Sequence, residues 1–162
     1  MRRPVSTRLI AVAVAAGSLI MIPLAGPGSA AAVVGASCAK LVSGPPTTVK
    51  GVAMSNSTVS SCLPLAATGG TGKSSTNLKT LISTTTWAGG KGTTIVKEKY
   101  KTVTGHNKCP SGTTLLELTG SVVGGSGAAL KAMPKGQAVS DFLCLNTKTD
   151  GTTLEPGTVS TY

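Results

Sequence analysis

Four cysteines, Cys38, Cys62, Cys109 and Cys144, constrain this chain of 162 residues more than any other feature. An even number of cysteines in a small exported domain reads as a disulfide framework. Three pairings are open, and Cys38–Cys62 with Cys109–Cys144 is favoured because it closes the shorter loops without crossing. Two bridges matter here because large side chains are scarce: one Trp, one Phe and two Tyr in the whole chain. A metal site is the competing use of the thiols. It is disfavoured because there is no Cys-x-x-Cys and His106 is the only histidine, too few ligands for a closed zinc site. No metal and no cofactor is expected.

Export is read from the first thirty residues. Arg2, Arg3 and Arg8 precede an apolar stretch over residues 9–25, and Gly26-Pro27-Gly28-Ser29-Ala30-Ala31-Ala32 follows. A basic start, an apolar stretch and a small-residue site make a secretory signal, with cleavage expected near Ala30 or Ala32. An uncleaved anchor is the alternative, but the stretch falls just short of the ~20 residues that span a bilayer. Lipidation at Cys38 is disfavoured because Cys38 stands far from the apolar stretch. The expected organisation is a signal peptide over 1–30 and a single β domain over 33–162, secreted or cell-wall associated, with no membrane span after cleavage.

Charge narrows the partners. The chain carries 15 Lys+Arg against 5 Asp+Glu. All three arginines lie in the leader, so the twelve basic residues left are all lysine. Lysine binds polyanions as a point charge and lacks the guanidinium fork that reads guanine or grips phosphate, so no specific nucleic-acid recognition is expected. Lys97, Lys99 and Lys101 alternate along one strand and share a face. That stripe suits an anionic polymer, such as a cell-wall polyphosphate or acidic polysaccharide, or another extracellular protein. The simpler reading is a solvated face or a charged edge that resists strand pairing. Glu98 and Tyr100 point the other way, with Tyr100 at the rim of the core.

Thr, Val, Gly and Ser dominate from Val33 onward, a composition of strands and turns. Strands are predicted over 33–42, 49–63 (one strand or a hairpin), 78–87, 93–104, 113–123, 138–146 and 158–162. The segments 68–75 and 124–127 are read as loops, and 128–133 as one short helical turn. The pair around Ala88-Gly89-Gly90-Lys91-Gly92 reads as a hairpin. The fold class is therefore all-β, a small immunoglobulin-like β-sandwich or barrel of about seven to eight strands with two disulfides. Trp87, Phe142, Val96, Leu116 and Leu118 are the predicted core.

Motifs for chemistry are few. Ala67-Thr68-Gly69-Gly70-Thr71-Gly72-Lys73-Ser74 fits a relaxed P-loop, but a β-rich run follows where a P-loop needs a helix. His106 could serve as a base only with a nucleophile and an orienting acid, and neither can be singled out. Asp141 and Glu117 form a candidate carboxylate pair that nothing in their spacing requires to meet. No catalytic residue is assigned.

The layout resembles small exported actinobacterial proteins of uncharacterised function. The resemblance is carried by Cys38…Cys62, Gly69-Gly70-Thr71-Gly72, Thr86-Trp87-Ala88-Gly89-Gly90, Cys109-Pro110-Ser111-Gly112, Gly120-Ser121-Val122-Val123-Gly124, Cys144 and Pro156-Gly157-Thr158. It implies export and a β-rich fold. The function expected is a non-enzymatic cell-surface or extracellular binding or structural module. The alternatives are a secreted protease inhibitor presenting a disulfide-braced loop at 109–112, or a weak hydrolase using His106.

Overall fold

The computed structural model describes residues 35–104 and 108–162; the segment 1–30 expected to be a signal peptide, and His106, lie outside the described residues. Ten strands and two short helices follow in order: β1 (Ser37–Ser43), β2 (Thr47–Val49), β3 (Val52–Leu63), α1 (Leu65–Thr68), β4 (Thr71–Asn77), β5 (Ile82–Trp87), β6 (Gly92–Thr102), β7 (Thr113–Ser126), α2 (Gly127–Ala132), β8 (Ala138–Asn146), β9 (Thr152–Leu154) and β10 (Ser160–Thr161).

β3 to β8 run as an antiparallel meander, each strand pairing with the next. β1 then pairs with β3, placing Cys38 opposite Cys62 and Leu41 opposite Val59. The gap between β8 and β1 is filled by two short pieces. β9 bridges Cys144 and Val42 through Thr153 at one end. β10 bridges Ser140 and Cys38 at the other. The result is one closed eight-stranded antiparallel barrel. Closure removes the free edges that an open sheet must protect. The sandwich alternative, with two facing sheets, is not what these pairings form.

Both disulfides are present as Cys38–Cys62 and Cys109–Cys144. The first joins directly opposed residues of β1 and β3 inside the lower end of the barrel, where both cysteines are fully buried. The second fastens the β6–β7 connection to β8, with Cα atoms 5.5 Å apart. Around the first bridge the lower end is packed with Trp87, Met133, Ala129 and Tyr162. The rings of Trp87 and Tyr162 meet edge to face at 5.3 Å, a favoured aromatic geometry. The indole N–H donates to Thr94 Oγ1, so its polar edge is satisfied in the core.

Several sequence expectations are corrected. Of the segment 68–75 expected as a loop, residues 71–75 belong to β4, which also settles the P-loop motif: a strand, not a helix, follows the glycines. Residues 124–126 belong to β7, beyond a register shift opposite Ile95 and Val96. β5 begins at Ile82, and Leu78 lies in the turn before it. Phe142 is only half-buried, because its neighbours Asp141 and Leu143 take the inward positions on β8. Trp87, Val96 and Leu118 are core as expected, with Leu116 packed against it.

Gly72 explains the β4 error. A Cβ there would lie 2.9 Å from the Trp87 ring and 2.8 Å from Thr85 Cγ2. The glycine is required by the seat of the indole, not by a turn. Gly72→Val is therefore expected to cost about 1–3 kcal/mol through overpacking, measured by urea denaturation; a variant as stable as wild type contradicts this packing.

Candidate functional site

The barrel is plugged at one end and open at the other. Its interior changes character along the axis. Above the apolar floor, inward positions on β4, β5 and β6 are filled by Ser74, Thr76, Ser83, Thr85, Thr94 and Glu98. Five small hydroxyl side chains and one acid thus line the inside. At this level lies a small internal cavity of about 40 Å³, bounded by Glu98, Asp141, Tyr100 and Tyr162 with Ser74 and Thr76. That is room for a few waters or one small polar head group.

Glu98 and Asp141 are both nearly inaccessible, at 7% and 3% exposure. They come from β6 and β8, the two neighbours of β7, where Glu98 faces Gly120 and Asp141 faces Leu118. Tyr100 Oη donates to Glu98 Oε2 at 2.5 Å, and the Thr161 N–H donates to Asp141 Oδ1 at 3.2 Å. Burial pushes the Asp141 carboxyl up to about 6; Ser160 and the Thr161 N–H offset part of this, and the nearby Glu98 adds to it. Burial likewise raises Glu98, against the lowering effect of the Ser83 and Tyr100 hydroxyls. The Tyr100 and Tyr162 phenols are pushed upward, by burial first and by the carboxylates beside them. No lysine lines this cavity among the described residues. Below it, the buried Thr85 and Ser160 hydroxyls make no bond of normal geometry but lie beside the Tyr162 phenol, and Ser160 also beside Asp141. Buried polar groups are ordinarily paired; here the pairing is loose, and each carboxyl keeps lone pairs that its neighbours do not fill.

The open end carries a groove of about 360 Å³ walled mainly by Pro46, Leu78, Leu81, Leu116, Leu143 and Leu145. Ser55, Tyr100, Leu143 and Thr152 belong to both the groove and the cavity, so the apolar mouth leads onto the acidic interior. Together they reach the lower end of the roughly 300–1,000 Å³ range of small-molecule sites.

The lysine stripe is elsewhere. Lys97, Lys99 and Lys101 are exposed on the outer wall, as their alternation predicts. Two of the three are engaged locally: Lys97 Nζ donates to the Thr80 carbonyl at 2.7 Å, and Lys101 Nζ lies 3.9 Å from Glu117 Oε2. Glu117 is thus an outer-wall partner of lysine and does not meet Asp141, which faces the interior; the carboxyl that shares Asp141's cavity is Glu98. Pro110, Ser111 and Gly112 form an exposed turn beside Cys109. Among the described residues no group of three or more His, Cys, Asp or Glu could hold a metal ion, and no helix is long and apolar enough to cross a membrane.

Comparison of the chain with family models, curated proteins and solved structures returns no match. The fold and the interior therefore carry the functional argument.

Proposed function

We propose that this protein is a secreted, non-enzymatic binding module that takes a small amphipathic molecule into its barrel through the open end. The observation that carries this reading is the continuity of an apolar mouth with a polar, incompletely satisfied interior. An apolar wall with a few convergent polar groups is the usual composition of a ligand site. The interior cavity, at about 40 Å³, admits a head group but not a polymer backbone, which favours binding over hydrolysis. Work outside the cytoplasm is supported by the two disulfides, which persist in oxidising compartments.

The test is thermal unfolding of the purified domain with short-chain amphiphiles of differing head group. A bound ligand at a hundred times its Kd stabilises the fold by about 2.7 kcal/mol, a shift of several degrees for a domain this size. Leu145→Arg, which places a charge in the mouth, is expected to abolish the shift. No shift with any amphiphile, or one that survives Leu145→Arg, refutes the reading.

A second reading, a protease inhibitor, draws on the exposed turn braced by Cys109–Cys144. Absence of inhibition of secreted serine proteases at micromolar protein removes it.

A further inference from the structure

We propose that the ligand of this barrel is a primary alkylammonium: a –NH₃⁺ head seated between Glu98 and Asp141 with its apolar body in the leucine-walled mouth. The inference rests on the binding reading above and adds the chemistry of the occupant.

Three observations converge on it. The first is charge. Two carboxyls share one buried cavity, and the groups facing them from the packed elements are Tyr100 on β6, Tyr162, and the hydroxyls of Ser74 and Thr76 on β4. None is cationic. Ionised carboxylates in a dry interior are costly unless paired, and a cation delivered from outside supplies the missing partner. The second is bonding capacity. Tyr100 and Ser83 donate toward Glu98, and the Thr161 N–H and Ser160 toward Asp141, so about half of the roughly four lone-pair sites on each carboxylate stay free. An ammonium carries three donors and no acceptor, the complement of an acceptor-rich site. The third is size. A cavity of about 40 Å³ holds a group comparable to one or a few waters, which fits –NH₃⁺ and excludes a trimethylammonium or a guanidinium with its planar spread. The mouth above is mainly apolar, with Asp150 the one carboxylate on its wall, so the rest of the ligand is hydrocarbon.

The assignment predicts a selectivity order. With n-octylammonium, n-octyltrimethylammonium, n-octanol and n-octanoate, each below its micelle concentration, isothermal titration at pH 7.5 is expected to give at least tenfold tighter binding for octylammonium than for the other three. In the Glu98→Gln/Asp141→Asn double variant that preference falls to within about threefold, while octanol binding stays at its wild-type strength. The wild-type preference also shrinks between pH 7.5 and pH 5, which checks the same point without a substitution. If octanol or octanoate binds as tightly as octylammonium, the amine assignment is wrong and the binding barrel stands. If the trimethylammonium binds equally well, the site is cationic in preference but not the small primary-amine site proposed. If none of the four binds, the binding reading itself fails.

Discussion

Removing the Cys38–Cys62 bridge, as Cys38→Ala/Cys62→Ala, is expected to cost the folded domain about 3–4 kcal/mol in urea denaturation. The bridge spans a sequence separation of 24 residues and the second spans 35. Restriction of the unfolded chain by loops of these lengths corresponds to about 3–4 kcal/mol each in the chain-entropy treatment. The two bridges act in different places. Cys38–Cys62 lies buried in the plug with Trp87 and Met133, so its loss also opens a cavity beneath the interior. Cys109–Cys144 ties a connection to β8, so its loss frees the β6–β7 link and leaves the plug intact. Domain stabilities run to about 5–15 kcal/mol, and the variant lacking both bridges is expected to be largely unfolded at 37 °C. A cost under about 1 kcal/mol for each pair would contradict the claim that sulfur bridges brace a barrel poor in aromatic residues.

The second large effect is on pH. Asp141 has its carboxyl raised to about 6 by burial, and Glu98 is raised in the same direction. A carboxyl with a raised folded-state pKa binds its proton more tightly folded than unfolded. Its contribution to stability is therefore greatest at low pH and declines as pH rises from about 4, the ordinary carboxylate range, through about 6. Above that it is constant, because both states are ionised. For Asp141 the decline amounts to about 3 kcal/mol at 1.36 kcal/mol per pKa unit. Asp141→Asn removes the titrating group, so the variant is expected to match wild type near pH 3 and to exceed it by up to that amount at pH 7.5. Denaturant midpoints across this range supply the measurement. A wild-type protein that gains stability from pH 4 to 7, with Asp141→Asn gaining in parallel, would place Asp141 in water.

The same buried polarity explains which parts of the fold were legible in the sequence. The disulfide pairing followed from loop closure, the β5–β6 hairpin from its glycine turn, and β8 from a β-rich run with Phe142 and Cys144. These segments obey the usual rules. β4 does not, because its inward residues are Gly72, Ser74 and Thr76. With no apolar residue to alternate, a strand facing a polar interior looks like a loop. Phe142 misled in the opposite sense: on β8 the acid points inward and the aromatic outward, the reverse of the usual burial preference. Of the closing strands, β10 falls within the strand expected over 158–162, whereas β9 holds three residues, too few for any period to register. The acid pair was half visible. Alternation of Lys97, Lys99 and Lys101 placed Glu98 on the inner face, but only the register of β6, β7 and β8 sets it across from Asp141.

All of this depends on two carboxyls being enclosed within a closed barrel. Carbon-13 NMR titration of the side-chain carboxyls in the intact domain addresses that directly. The account predicts an Asp141 midpoint near 6, a Glu98 midpoint above the ordinary range, and a downward shift of Glu98 when Asp141 becomes Asn. Both residues titrating near 4, unmoved by the substitution, would mean that the interior is open to water and that no buried acid site exists.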